Sequence, residues 1–186
     1  MTLINRGFDL HDWQSDAVDA WAKGYDGHPF TGTLEIVTGG GKTLIALACA
    51  ARAAQEDNDV RLAVIVPTEA LARQWRKSIL QYSSLRPDEV GLLGAGGKST
   101  LQDHRAVVAV INTAATKLPP MAIDAQPLML IVDECHRAGA PKYRKVLETR
   151  AKYRLGLSAT PDREELDDDG EPLSYDEQAV GQSLGG

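Results

Sequence analysis

The chain has few of the features that would place it outside the cell, in a membrane or around a structural metal. Only two cysteines occur in its 186 residues, Cys49 and Cys135. Two isolated thiols make neither a disulfide framework nor a zinc site, and they fit a reducing compartment. No apolar run approaches the roughly 18 to 20 residues needed to cross a bilayer. Residues 1–10 lack the basic start and apolar centre of a signal peptide, so a cytoplasmic, intracellular location is expected. Internal repeats are absent too. What remains is a hydrophobic content of 43%, which suits one globular domain burying about 70% of the surface of its unfolded chain.

Positive charge is also scarce overall, with a formal net charge of −6, but the deficit is local. Residues 161–186 hold nine acidic residues and one basic one, Arg163, a net of −8. Residues 1–160 therefore carry 19 basic and 17 acidic residues, or +2, and are free to host a basic patch. Net charge does not exclude a nucleic-acid partner. The polar, acidic stretch from about 164 to 186 is expected to be partly mobile.

Hydrophobic spacing divides the rest into alternating elements. Continuous apolar runs at 34–37, 62–66, 107–111, 128–132 and 153–157 read as strands buried on both faces of a parallel sheet. Helical spacing marks 12–22, 43–55, 69–82 and 142–149, the last following Pro141. This alternation predicts an α/β fold, a mostly parallel sheet with helices on both faces. Ligands of such sheets collect beyond the carboxyl ends of the strands, where every chemically loaded segment of this chain falls.

The first of these segments is Thr38, Gly39, Gly40, Gly41, Lys42 and Thr43, between a strand-like and a helix-like run. Glycines let successive backbone N–H groups point at an anion, and a helix beginning near Lys42 adds the positive end of its dipole. Lys42 would reach the β- and γ-phosphates of a nucleoside triphosphate, and the Thr43 hydroxyl suits Mg²⁺. The strict P-loop pattern asks for glycine six residues before the lysine, where this chain has Ile36. A similar-looking run, Gly94 to Ser99, is followed only by the short polar stretch 100–105. No helix of useful length can follow it, so it reads as a surface loop.

The run at 128–132 leads into Asp133, Glu134, Cys135 and His136. If that strand lies beside the P-loop strand, Asp133 can hold Mg²⁺ through its water shell while Glu134 polarises the water that attacks the γ-phosphate. Alone, such a pair reads equally as a solvated strand end.

Together, Asp-Glu-Cys-His at 133–136, Thr-Gly-Gly-Gly-Lys-Thr at 38–43 and Ser-Ala-Thr at 158–160 resemble the first motor domain of a superfamily 2 helicase or translocase of the DEAD/DEAH-box type. Val66, Pro67 and Thr68 with Leu71 and Gln74 match the motif after the second strand. Ile111, Asn112 and Thr113 match the next, and Leu10, His11, Trp13 and Gln14 match the upstream adenine motif. The six matches are in order over nearly the whole chain. The resemblance implies a RecA-like P-loop NTPase domain over residues 1–186, using ATP and Mg²⁺.

It further implies that Gln14 meets the adenine edge, that His136, Ser158 and Thr160 couple nucleotide to nucleic acid, and that Pro67, Thr68, Asn112 and Thr113 follow one strand's backbone. Short polar side chains at strand ends suit such sequence-independent contacts, to which Arg73, Arg76 and Lys77 could add charge. Bland readings stand beside these. Gln14 also reads as an exposed helix residue, Thr68 as an N-cap, Asn112 as a turn and the three cations as a solvated face.

The run from Tyr153 to Arg163 most resembles the DNA repair, recombination and restriction branch, favouring DNA over RNA. That branch often carries Arg-Glu-Asp after the third motif; here Arg163, Glu164 and Glu165 stand instead, which leaves the role of Arg163 open. No arginine-bearing motif follows Arg163, so a second RecA-like domain is expected to complete the motor. The other reading is a P-loop module of regulatory or interaction type that never moves along nucleic acid. A nucleotide kinase fits poorly, because no acceptor-binding lid is in view.

Overall fold

In the computed structural model, residues 9–37, 39–135 and 141–159 are described, the side chains at 142 and 143 excepted. Seven strands form one sheet in the order β1-β7-β6-β2-β5-β3-β4. They are β1 (Thr31–Glu35), β2 (Arg61–Val66), β3 (Val90–Gly94), β4 (Gly97–Lys98), β5 (Ala106–Val110), β6 (Leu128–Asp133) and β7 (Tyr153–Ser158). All neighbours run parallel except the β3–β4 hairpin. The helices are α1 (Asp12–Lys23), α2 (Lys42–Glu56), α3 (Glu69–Tyr82), α4 (Ile111–Ala122) and α5 (Pro141–Leu147).

The central strands β2, β5 and β6 are buried almost throughout, as their Val, Ile, Leu and Ala runs require when both faces are covered. Alternate side chains feed two cores. Val64, Val108, Ile131 and Leu155 pack with α1, α2 and α3, whereas Ile65, Val107, Ala109 and Leu130 pack with α4 and α5. Helix α2 meets the sheet through alanines and a buried Cys49, small side chains that let it approach closely.

Three expectations change. The run at 34–37 is not the strand: β1 pairs with β7 over 31–35, and Val37 lies beyond it, 62% exposed. As an edge strand with the sequence Thr-Gly-Thr-Leu-Glu, β1 lacks the continuous apolar signature of a central one. The run at 107–111 shifts back by one, because Ile111 opens α4, a helix the pattern hides behind Pro119 and Pro120. Finally, β6 does not lie beside the P-loop strand; β7 stands between them.

Candidate active site

The cradle is shaped by backbone geometry more than by side chains. After β1, the Ile36 N–H donates to the Ser158 carbonyl at 3.0 Å and the Gly40 N–H closes a turn onto Val37 O at 2.9 Å. Ile36, which breaks the strict pattern, is buried in the core. A Cβ on Gly40 would stand 2.8 Å from Ile36 Cγ2, so the loop packs directly on that side chain. Gly41 caps α2 in the left-handed region, at φ 83°, with no side chain bonded to the cap. The first turn of α2 contains no acidic residue. Its N–H groups and dipole therefore face the loop without a carboxylate from the helix itself.

Gln14 clamps this loop from the side. Its Nε2 donates to Gly40 O at 3.1 Å and its Oε1 accepts from the His11 N–H at 3.0 Å. It is buried, which removes the reading of an exposed helix residue. A Cβ on Gly41 would come within 2.8 Å of the same amide.

At the end of β6, both oxygens of Asp133 are engaged. Oδ2 accepts from the indole Nε1 of Trp75 at 2.8 Å and Oδ1 from the Glu134 N–H at 3.0 Å. Burial pushes the Asp133 carboxyl above the usual range, and the indole bond opposes that shift. Glu134 takes a left-handed backbone, φ 57°, unusual for a residue with a Cβ. Its Oε1 lies 3.6 Å from Lys42 Nζ. Both side chains of this pair remain partly open, at 27% and 19% exposed. Two long side chains thus join the cradle to β6 across the intervening β7. Cys135, by contrast, is buried and its thiol is pushed up to about 11 by burial, so it is neither thiolate nor ready ligand near neutrality.

The remaining marked residues gather at the carboxyl ends of the same sheet. Thr68 caps α3, accepting from Leu71 N at 3.3 Å, and is exposed. Pro67 before it is half-buried. Arg73 pairs with Glu69 at 3.1 Å and lies 3.5 Å from Ala95 O in the β3–β4 turn. Arg76 bonds Val90 O and Pro87 O, which makes it a strut and corrects its reading as solvated charge. Asn112 and Thr113 occupy the first turn of α4. Thr113 Oγ1 lies within 3.1 Å of where a Gly94 Cβ would stand, so the α4 start adjoins that hairpin. The run from Gly94 is part of a hairpin: Gly94 ends β3 and Gly97 and Lys98 form β4, so only the turn at 95–96 between them is the loop expected there. Ser158 is buried, its hydroxyl donating to Ala159 O at 2.9 Å. Thr38, His136, Thr160 and Arg163 lie outside the described residues, as does the acidic stretch 164–186.

Trp75 is the residue that its sequence context conceals. Its spacing with Leu71 and Ile79 marks an apolar helix face, and nothing local announces a polar contact 58 positions away. The available signal is chemical: a buried indole N–H needs an acceptor.

A glycine-lined loop opening a helix, facing an Asp-Glu pair across a mostly parallel sheet, is the arrangement of a RecA-like domain. Among solved structures, the Pyrococcus furiosus Hef helicase domain superposes with a TM-score of 0.69, at 24% identity over 88% of this chain and 35% of that one. The Sulfolobus solfataricus SWI2/SNF2 ATPase core in complex with dsDNA gives 0.67, at 19% identity over 87% and 34%. These likenesses establish the RecA-like fold.

The chain belongs to the family described as "Type III restriction enzyme, res subunit", whose model matches residues 7–163. It is an N-terminal motor domain of superfamily 2, from the DNA repair and restriction branch. It is 32% identical over 166 residues to the DNA 3'-5' helicase XPB of Kineococcus radiotolerans, covering 88% of this chain and 28% of that protein. With the DNA 3'-5' translocase XPB2 of Sulfurisphaera tokodaii, identity is 33% over 164 residues, 88% of this chain and 33% of the relative. The chain therefore spans about a third or less of the curated relatives it matches. No helix among the described residues is long and apolar enough to cross a membrane.

Proposed function

We propose that the chain is the ATP-binding lobe of a DNA-dependent helicase or translocase, and that residues 1–186 form one lobe of a two-lobed motor. One observation carries this: Lys42 and Glu134, from a glycine cradle and a strand-borne Asp-Glu pair, meet at 3.6 Å. A triphosphate at the start of α2 would meet loop N–H groups, the helix dipole and the Lys42 ammonium together. Lys42 would then exchange its carboxylate partner for phosphate. Glu134 would orient the attacking water and take its proton.

The donors present suit Mg²⁺, which prefers hard oxygen ligands and keeps several of its own waters. Asp133 and the Thr43 hydroxyl would hold it, and when bound it supplies neutralising charge to the phosphate oxygens. Thr38 and Gly39 complete the phosphate loop. Gln14 has one amide N–H not given to Gly40, and that is what it can offer to adenine. Pro67, Thr68, Arg73, Asn112 and Thr113 would track one DNA strand by its backbone. His136, Ser158 and Thr160 would relay nucleotide state to it, and Arg163 would add a nucleic-acid contact. The names of the DNA helicase and translocase relatives support DNA over RNA.

The test is ATP turnover by the full-length protein with single-stranded DNA, duplex DNA and RNA side by side. DNA should stimulate more strongly than RNA. Glu134→Gln should keep ATP binding and lower turnover by roughly 10² to 10⁴, the range for loss of a general base. Undiminished turnover removes Glu134 from that role. The 186 residues alone should turn over roughly 10³ to 10⁵ more slowly than the full motor, for want of an arginine finger.

A further inference from the structure

Asp133 is an expensive place to leave a hydrogen-bond acceptor, because it is 7% exposed and beside a second carboxylate. Trp75, 2% exposed, brings the matching donor from a different element, with Nε1 2.8 Å from Oδ2. The Glu134 N–H engages Oδ1 at 3.0 Å. The two donors fix the plane of the carboxylate while leaving each oxygen a second lone pair. Trp75 also sits on α3, the helix capped by Thr68. Two residues before it, Arg73 points to the opposite, exposed face, next to the β3–β4 turn. One helix thus presents Thr68 and Arg73 to the proposed DNA edge and an indole to the proposed metal carboxylate.

We propose that Trp75 is a positioning residue: its indole N–H orients Asp133 for the Mg²⁺–nucleotide complex and makes that orientation depend on where α3 sits. This rests on the function proposed above. A purely structural tryptophan would use Asp133 only as the acceptor for its own buried N–H, with no effect on the metal. A positioning one needs its N–H.

The probe is a fluorescent ATP analogue bound to the 186-residue chain, titrated with Mg²⁺. Trp75→Phe keeps an aromatic ring and removes the donor. It should raise the Mg²⁺ midpoint about tenfold, as loss of partners behind metal ligands typically does, while affinity in EDTA stays unchanged. A folded Trp75→Phe protein with the wild-type midpoint overturns the proposal. Should that variant not fold, the wild type decides, since its three tryptophans give three indole N–H resonances in NMR. The Trp75 resonance should move with Mg²⁺–nucleotide but not with nucleotide in EDTA. The Trp21 indole, bonded to Arg154 O at 2.8 Å, should stay in place as the control. A stationary Trp75 resonance overturns the proposal as well. A wild-type chain that binds no nucleotide overturns the proposed function and this inference together, whereas wild-type binding with an unaffected variant overturns this one alone.

Discussion

At the amino ends of the parallel strands, charge is matched and finished. Asp57, after α2, accepts from Lys152 Nζ at 2.7 Å and from the Tyr153 hydroxyl. Arg61 bonds the carbonyls of Leu101 and His104, and Arg105 that of Asn58. At the carboxyl ends of the same strands, Lys42 and Glu134 stand 3.6 Å apart and partly open. Glu134 and the glycines at 39 and 41 lie in the left-handed region there, and Asp133 is held against its own desolvation. One sheet therefore carries two designs. Its amino edge uses polar groups to close the fold, and its carboxyl edge keeps polar groups in arrangements that a ligand could improve.

The contrast can be broken most forcefully at Lys42. Lys42→Ala should lower ATP turnover of the full-length protein at least about 100-fold, as loss of a charge-stabilising group at a reacting phosphate does. Thermal unfolding should shift by the equivalent of about 1 kcal/mol or less, because a partly solvated ion pair at 3.6 Å contributes little. A large loss of stability would make the pair structural.

Next is Gly41→Ala, which places a Cβ at φ 83° and 2.8 Å from the Gln14 amide. Left-handed strain of about 1 to 2 kcal/mol and displacement of the Gln14 clamp should weaken nucleotide binding together with stability. Fluorescent-nucleotide titration and melting would show both effects. Binding at wild-type affinity would mean that the loop geometry is irrelevant to the ligand.

Asp57→Ala tests the other edge and should do the reverse. The Lys152 ammonium and then the Tyr153 hydroxyl hold the Asp57 carboxyl below the usual range. A depressed carboxyl stabilises the fold above its unfolded pKa, about 3.9, and that contribution fades as pH falls through the lower folded value. Asp57→Ala should therefore lower Tm at pH 7 by the equivalent of about 1 kcal/mol, roughly 2 to 4 °C in a chain of this size. The difference should shrink below pH 4, and nucleotide affinity should not change. A pH-independent difference would assign the effect to packing.

The smallest expected effect is that of Arg73→Ala. It should leave ATP binding alone and reduce the salt slope of DNA binding by about 1, the signature of one lost phosphate contact. An unchanged slope would leave Arg73 to its pairing with Glu69.

Legibility in the sequence followed the same division. The strands at 62–66 and 128–132 and the helix at 69–82 could be read locally, because burial on both faces or on one helical stripe writes itself as composition. The edge strand β1 escaped because it needs no such run, and α4 escaped because two prolines within its length resemble a stop signal. At the site, Lys42, Asp133 and Glu134 were visible as spacing at strand ends. Their partners were not: the Gln14 clamp on Gly40 and the Trp75 bond to Asp133 span 26 and 58 positions. No periodicity carries that distance.

The place of β7 in the sheet carries a consequence for side-chain length. The cradle hangs from β1 and the carboxylates from β6, two interstrand steps apart, or roughly 9.6 Å at 4.8 Å each. The tether between them is made of methylene groups, four in Lys42 and two in Glu134. Charge alone would not fill that span. Glu134→Asp keeps the carboxylate but shortens the tether by one carbon, so the sheet itself acts as a gauge that tells two chemically equivalent acids apart.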